Sequence, residues 1–103
     1  MPTESYSIND QLFTWDKNKN LSNIKKHGVP FKEAATVFLD PSATLIDDEG
    51  HSQDEERYIV IGMSKKLRVL MVCHCYRDDG ETIRIVSARE ATSTEENLYG
   101  GAI

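Results

Sequence analysis

The second half of the chain constrains the fold more than any other part. It contains three runs rich in β-branched and aliphatic residues, at positions 57–62, 67–76 and 83–89. Residues 63–66 alone separate the first two runs, and the hairpin signal Asp78-Asp79-Gly80 separates the second from the third. Connections this short leave no room for a crossover, so we predict that the three strands form an antiparallel meander.

A short helix is predicted ahead of this meander. Asp16 is a favourable N-cap residue, and Gly28 stands where a left-handed C-cap belongs. Leu21 and Ile24 are expected to form the buried stripe of this helix. His27 then lies in the last turn, where the helix dipole favours a positive charge.

Two further helices complete the predicted architecture. One is expected at positions 32–39, and overlapping capping boxes that begin at Thr92 and Ser93 start a C-terminal helix ending at Gly100-Gly101. The predicted fold class is therefore α+β. We expect a small single domain with its N-terminal helices packed on the antiparallel sheet and a short helix at its C-terminal end.

The length of 103 residues fits one domain. Residues 1–11 are polar and lack periodicity, so we expect an N-terminal arm, either loose or forming a weak first strand, before a single domain at 12–103. Short strands are expected at 12–15 and 43–46. The sequence has neither an apolar stretch of about 20 residues nor a signal-peptide pattern, which favours a cytoplasmic location without a membrane span.

Charge is distributed in blocks, although the net charge is −5. Positions 17–32 hold five basic residues and no acid, whereas positions 33–56 hold eight acids and no lysine or arginine. Positions 57–89 hold seven basic residues and three acids. If the fold brings the two basic blocks together, an acidic protein carries a local cationic face suited to a polyanion.

The basic blocks contain residue types that RNA cleavage requires. Cleavage needs a base for the 2′-hydroxyl proton, cations for the charge on phosphorus and an acid for the leaving oxygen. His27 is our candidate for the acid or base, with Lys26 beside it as a further catalytic candidate and Lys19 nearby as a candidate phosphate-binding residue. The candidates for cationic stabilisation are Arg57, Arg77 and Arg89. Such a scheme requires no metal, but for any single arginine an ion pair with a carboxylate is the more common explanation.

Strand alternation makes a specific prediction for the last strand. It places Ser87 and Arg89 on the same face as Ile83 and Ile85, and Arg84 on the opposite face. Guanidinium groups at strand ends suit bidentate phosphate contacts, so Arg84 and Ser87 join the candidate phosphate-binding residues. From the residues alone, the function is limited to a small domain with a site for an anionic ligand.

The remaining chemistry-bearing residues each allow two interpretations. Trp15 is expected either to pack in the core or to stack on an RNA base. His74 alternates with apolar residues, which predicts a buried and hydrogen-bonded histidine, whereas His51 lies in an acidic loop at 47–56 and is expected to be exposed. Cys73 and Cys75 should share a strand face as small buried residues, without a disulfide or a metal between them.

Three blocks of the sequence resemble the BrnT toxin family. The first is Trp15-Asp16-x-x-Lys19-x-x-x-Asn23-x-x-Lys26-His27-Gly28-Val29-x-Phe31-x-Glu33-Ala34. The second is Glu56-Arg57-Tyr58-x-x-Ile61-Gly62. The third is Tyr76-Arg77, then Ile83-Arg84-Ile85-Val86-Ser87-Ala88-Arg89-x-Ala91-Thr92, with Glu96-x-x-Tyr99 following.

The resemblance implies a ribonuclease toxin of a type II toxin–antitoxin pair with a RelE-like fold and no cofactor. Its partner would be a BrnA-type antitoxin with a ribbon-helix-helix module, so that the toxin reaches operator DNA only through the antitoxin. The positions that match the family motifs are Lys19, Lys26, His27, Arg57, Arg77, Ser87 and Arg89. The alternative is a non-catalytic or degenerate binding module that acts only through its protein partner.

Overall fold

The computed structural model describes residues 2–47 and 56–99. This part of the chain contains six strands: β1 (Thr3–Ile8), β2 (Gln11–Asp16), β3 (Thr44–Asp47), β4 (Tyr58–Met63), β5 (Val69–Arg77) and β6 (Thr82–Glu90). It also contains three α-helices: α1 (Lys17–His27), α2 (Phe31–Thr36) and α3 (Ser93–Glu96). Short 3₁₀ turns cover Val37–Leu39 and Asp78–Gly80.

The six strands form one sheet in the order β1-β2-β6-β5-β4-β3. Strands β3 to β6 pair antiparallel with their neighbours, which confirms the predicted meander and the α+β class. The sequence did not predict that β2 pairs with β6 in parallel, which makes the sheet mixed. Because β2 precedes β6 by most of the chain, no local turn signal announces this pairing.

The N-terminal arm takes the strand alternative. β1 pairs antiparallel with β2 from Thr3↔Asp16 to Ile8↔Gln11 and forms one edge of the sheet. Its residues alternate between exposed and half-buried, and Trp15 Nε1 donates a hydrogen bond to Glu4 Oε1 at 2.7 Å. This contact ties the arm to the core.

One face of the sheet, which we call the core face, packs against α2. Its members are fully or almost fully buried: Phe13, Trp15, Val60, Leu70, Val72, Ile83, Ile85 and Ala88, together with Val29, Phe31, Ala34, Ala35 and Val37 from the helical side. A Cβ on Gly62 would lie 2.7 Å from Val37 Cγ1, so only glycine allows the sheet to approach this closely. Phe38 is partly buried against the same core.

A β-bulge corrects the prediction for the last strand. Cys73 pairs with Ser87 but the next residue, His74, pairs with Ile85, so Val86 is an extra residue in β6. The extra residue reverses the alternation beyond it, because neighbouring positions of β5 face opposite ways. Ser87 and Arg89 therefore lie opposite Ile83 and share a face with Arg84, which is the reverse of the prediction. We call this second face of the sheet, defined by Met71, Cys73, Ser87 and Arg89, the cleft face.

Helix α1 has the predicted ends. The side chain of Asp16 accepts hydrogen bonds from the backbone N–H groups of Asn18 at 2.7 Å and Lys19 at 3.3 Å. Gly28 adopts the left-handed conformation with φ of 72°, and its N–H bonds the carbonyl of Ile24. His27 is the last residue of the helix, as predicted.

The predicted buried stripe of α1 is wrong. Leu21 is 54% and Ile24 is 38% exposed, whereas Asn23 is buried. The side chain of Asn23 donates to the carbonyl oxygens of Ala88 and Val29 at 2.8 and 2.9 Å and accepts from the N–H of Ala88 at 3.1 Å. At Ala88, β2 has already turned away from β6, so this part of the β6 backbone has no neighbouring strand on that side. Buried backbone groups need hydrogen-bond partners, and the side chain of Asn23 supplies them here.

The other helices are shorter than predicted. The second helix starts at Phe31 and changes to a 3₁₀ turn after Thr36, and this turn ends at Leu39, the predicted end of the helix. The capping box at the start of α3 joins Thr92 to Glu95, and the helix ends at Glu96. The predicted end at Gly100-Gly101 lies outside the described residues.

Two further predictions concern the acidic loop at 47–56 and the absence of a membrane-spanning segment. The acidic loop predicted at 47–56, with His51, lies almost wholly outside the described residues. Among the helices that are described, none has the length and apolar character to cross a membrane.

The Asn23 contact predicts a large cost of truncation. In Asn23→Ala, the buried N–H and C=O of Ala88 lose their side-chain partner, which we expect to lower the free energy of unfolding by about 2 to 3 kcal/mol. Urea unfolding monitored by far-UV circular dichroism measures the change. Asn18→Ala, an exposed position on the same helix, is the matched control, and equal stability losses in both variants would contradict the assignment.

Candidate functional site: a cleft between helix α1 and the sheet

The end of α1 and the cleft face enclose a cleft of about 210 Å³. His27 lines it from the helix, and the sheet contributes one residue of β4, two of β5 and three of β6: Ile59, Met71, Cys73, Ser87, Ala88 and Arg89. The cleft thus joins the first basic block of the sequence to the last. His27, Ser87 and Arg89, three of the predicted site residues, meet in it.

Asn23 places His27 at this position. The two residues are one helical turn apart, so they lie on the same side of α1. Because Asn23 is bonded to the backbone of Ala88, His27 is brought beside the neighbours of Ala88, which are Ser87 and Arg89. The contact acts on the backbone and therefore fixes the helix without restricting the cleft-lining side chains.

Arg68 secures the C-terminal end of the same helix. Its Nη2 donates to the carbonyl of Gly28 at 3.1 Å, its Nε donates to Glu33 Oε2 at 2.9 Å, and Nη2 also bonds Glu33 Oε1. Ser64 Oγ donates to Glu33 Oε2 at 2.7 Å. One guanidinium thus connects α1, α2 and the turn between β4 and β5.

The charge of Glu33 depends on these partners. Burial acts to raise the pKa of Glu33, but the hydrogen bonds from Arg68 and Ser64 and the charge of Arg68 outweigh it, so that the pKa lies below its ordinary value. Glu33 is therefore a carboxylate at neutral pH although its side chain is only 3% exposed. Removal of Arg68 would leave this buried charge without its ion-pair partner, with Ser64 as the remaining side-chain hydrogen-bond donor.

Arg89 is held by α3. Its Nη1 and Nη2 donate to Glu95 Oε1 and Oε2, each at 2.7 Å, and Nη1 also donates to the carbonyl of Glu90 at 3.2 Å. Hydrogen bonds from Arg89 and from the N–H of Thr92 lower the pKa of Glu95 to about 2. The pair is partly solvated, with 40% and 25% of the two side chains exposed, so its contribution to stability is about 1 kcal/mol or less.

Two other arginines belong to the cleft face without lining the cleft. Arg84 is directly opposite Cys75, and Arg77 is opposite Thr82 at the end of β5. The pairing pattern places both on the same side of the sheet as Ser87 and Arg89, with Arg84 half-buried and Arg77 exposed. The β6 bulge thus gathers three arginines on one surface, a result that uninterrupted alternation would not give.

The remaining cationic candidates lie farther out. Lys19 and Lys26 are exposed on α1, and Arg57 is half-buried directly before β4. None of the three lines the cleft. Lys19 is also separated from His27 by eight residues, or roughly 12 Å along the helix axis.

Trp15 is not available for base stacking. It is 1% exposed, and its ring meets Phe31 edge-on with 6.0 Å between centroids. Its only polar atom is bonded to Glu4. Trp15 therefore packs in the core, and the interpretation as a base-stacking residue is wrong.

His74 is the buried, hydrogen-bonded histidine that alternation predicted. It is fully buried, with Nδ1 donating to the carbonyl of Val72 at 3.2 Å and Nε2 accepting from the Tyr76 hydroxyl at 3.4 Å. Burial lowers the pKa of His74, and the bond to Val72 opposes this only in part. A neutral imidazole is consistent with both contacts.

The cysteines share the cleft face, as predicted. Cys73 lines the cleft and is half-buried, while Cys75 is 1% exposed. Among residues 2–47 and 56–99, no three or more His, Cys, Asp or Glu side chains gather in a way that would hold a metal ion.

Three residues that build the site were missed as site residues in the sequence. Asn23 and Arg68 position the helix, and Glu95 holds Arg89. A partial signal existed for Arg68, because Glu33 is followed directly by Ala34 and Ala35 in the predicted second helix, and an acid that becomes buried there requires a cationic partner. No pattern in the sequence identifies which arginine supplies it.

The sequence matches the family model described as "Ribonuclease toxin, BrnT, of type II toxin-antitoxin system" over residues 15–95. The chain belongs to the BrnT family. The matched range covers α1, the meander and Glu95, and so includes every residue that lines the cleft. This confirms the resemblance drawn from the three sequence blocks.

A solved structure agrees with the family assignment. The fold is similar to that of the ribonuclease toxin BrnT of Brucella abortus, known from a crystal structure at 1.1 Å resolution, with a TM-score of 0.58 and 25% identity. The match covers 77% of this chain and 94% of the Brucella chain. No curated protein sequence is significantly similar to this chain. Membership in a type II toxin–antitoxin family implies an antitoxin partner.

The Arg68 network predicts a pH-dependent loss of stability. In Arg68→Met, Glu33 remains buried without its cation, and we expect the free energy of unfolding to fall by about 3 kcal/mol at neutral pH. In the wild type, the pKa of Glu33 is lower in the folded state than its ordinary value of 4.5, so ionised Glu33 stabilises the fold. This contribution is present at a pH above 4.5 and is lost as the pH falls through the lowered pKa. The gap between wild type and variant should therefore narrow in acid.

Urea unfolding at neutral pH and below pH 4.5 measures this difference. Lys65→Met, in the same turn, removes an exposed cation and serves as the control. A stability gap that stays constant or widens in acid would contradict the role assigned to Glu33.

Proposed function

We propose that this BrnT-family chain is an endoribonuclease that cleaves RNA at the cleft between α1 and the sheet. The observation that supports this most directly is the meeting of His27, Ser87 and Arg89 in one cleft. Histidine is the side chain best suited to proton transfer near neutral pH. Arginine offers planar donors that match phosphate oxygens.

The proposed reaction uses the RNA's own nucleophile. A base removes the 2′-hydroxyl proton, the 2′-oxygen attacks the adjacent phosphorus, and the 5′-oxygen leaves with a proton from an acid, giving a 2′,3′-cyclic phosphate. His27 supplies a proton-transfer group, and Arg89 stabilises the negative charge that builds on the phosphoryl oxygens. Ser87 donates a hydrogen bond to the same phosphate. Because the nucleophile is part of the substrate, the scheme needs no metal.

RNA would continue along the cleft face. Arg84 and Arg77 follow Ser87 on this side of the sheet and would contact phosphates on one side of the cleaved bond. Lys19, Lys26 and Arg57 are assigned to phosphate contacts outside the cleft. We place the activity in the cytoplasm, where cleavage would inhibit translation and growth.

A BrnA-type antitoxin is the proposed partner. Binding of the toxin by an antitoxin with a ribbon-helix-helix module would neutralise cleavage and bring the toxin to operator DNA without any DNA contact of its own. The net charge of −5 is consistent with this arrangement, since it disfavours direct binding of the chain to duplex DNA.

A non-catalytic binding module is the second candidate. It is favoured by the ion pair between Arg89 and Glu95, which partly neutralises the arginine that the catalytic scheme requires. This candidate predicts a stable complex with the antitoxin and no RNA cleavage by the purified chain. The catalytic proposal predicts the same complex, but with RNA cleavage by the purified chain.

Induced expression in a bacterial host tests the two candidates. We expect growth arrest with loss of intact RNA, and rescue when the adjacent gene is co-expressed. His27→Ala and Arg89→Ala should each relieve the arrest and slow RNA cleavage by the purified chain by about 100-fold or more. Lys25→Ala, which removes an exposed cation near His27 on the same helix, should leave both unchanged.

Thermal unfolding of each variant checks that the fold is retained. Full toxicity in both His27→Ala and Arg89→Ala would refute the site assignment. Intact RNA and normal growth with the wild-type chain, which still binds its antitoxin, would establish the binding-module alternative.

A further inference from the structure

The contact between Arg89 and Glu95 leaves one edge of the guanidinium available. Guanidinium has five N–H groups, of which Glu95 takes one on each terminal nitrogen and the carbonyl of Glu90 takes the second on Nη1. The Nε–H and the second Nη2–H donate to no acceptor among the described residues. These two groups point the same way and form the side-on edge, which can bind a phosphate bidentately.

Glu95 is itself fixed in place. Its Oε1 accepts from the backbone N–H of Thr92 at 2.9 Å, and its own N–H donates to Thr92 Oγ1 at 3.2 Å. The capping box that starts α3 thereby sets the position of the carboxylate. One oxygen serves the cap and Nη1 together, while the other is left for Nη2 alone.

The orientation of Arg89 follows from this arrangement. An arginine on a strand has several rotatable bonds, and about 40% of its side chain here is solvent-exposed. Two parallel hydrogen bonds to a carboxylate hold the plane of the guanidinium, as a single contact would not. With the end-on edge bound to Glu95, the side-on edge is what Arg89 offers to a ligand in the cleft that it lines.

We propose that Glu95 is a positioning residue, which orients Arg89 so that the Nε–H and Nη2–H edge receives the RNA phosphate undergoing cleavage. This inference rests on the proposed ribonuclease function and adds a role for α3 in it. Under this proposal, Glu95 does not mask Arg89 from the RNA. The carboxylate lowers the net positive charge at the site, but it holds the guanidinium in the orientation that receives the phosphate. Positioning should therefore appear in the rate of cleavage and not in RNA affinity.

Glu95→Gln tests the proposal in the purified full-length chain. Single-turnover cleavage of a labelled RNA gives the rate constant, and binding of the same sequence with 2′-O-methyl groups, which cannot be cleaved, gives the affinity. We expect the rate constant to fall about 10- to 100-fold with affinity unchanged or tighter, since the positive charge at the site rises while its geometry is lost. Glu95→Asp, which keeps the charge on a shorter stem, should recover part of the rate.

Two further variants separate positioning from other effects. Glu96→Gln makes the same charge change at an exposed neighbour. It should cleave RNA at the wild-type rate. In the double variant Glu95→Gln with Arg89→Ala, the loss should be no greater than in Arg89→Ala alone, because the two residues act through one guanidinium.

Other results would overturn the positioning role, either alone or together with the ribonuclease function. Faster cleavage with tighter binding in Glu95→Gln would show that Glu95 masks Arg89 and would overturn the proposal. Equal cleavage rates in Glu95→Gln and Glu96→Gln would overturn it as well. Those results, obtained with an active wild type, would leave the ribonuclease function standing. Absence of cleavage by the wild-type chain would overturn the ribonuclease function and the positioning role together.

Discussion

The hydrogen bonds between Asn23 and the backbone of Ala88 are the contact on which the site depends. Strand β2 pairs with β6 only from Leu12↔Thr82 to Thr14↔Arg84 and then leads into α1, so the later part of β6 would lack a partner along that edge. One amide side chain supplies both a donor and an acceptor there. The helix is held against the sheet by a polar contact, and its last residue, His27, reaches the cleft as a consequence.

A single extra residue in β6 determines which side chains face this histidine. Without the bulge at Val86, Ser87 and Arg89 would point into the apolar core, where an arginine without a partner is strongly unfavourable. With it, Ala88 takes the core position, and Arg84, Ser87 and Arg89 share the cleft face. The bulge at Val86 lies two residues before Ala88, which Asn23 contacts, so the sheet and the helix are adjusted to each other at the site.

Carboxylates organise the cations of this acidic protein. Glu33 holds Arg68, which fixes the end of α1 at Gly28, and Glu95 holds Arg89 at the cleft. In both cases a bidentate contact fixes the plane of a guanidinium that would otherwise be mobile. The net charge of −5 is therefore compatible with an anion-binding site, because the acids near the site act on individual arginines.

Local signals in the sequence determined the meander, the caps of α1 and α3 and the position of His27 in the last helical turn, because each depends on residues close together in the chain. The family motifs added the expectation of a ribonuclease toxin. Tertiary structure alone decided the parallel pairing of β2 with β6, the burial of Asn23 in place of Leu21 and Ile24, the face of Arg89 and the burial of Trp15. These features depend on which distant backbone groups lack a partner and where one residue is added to a strand, and neither is a property of any short stretch of sequence.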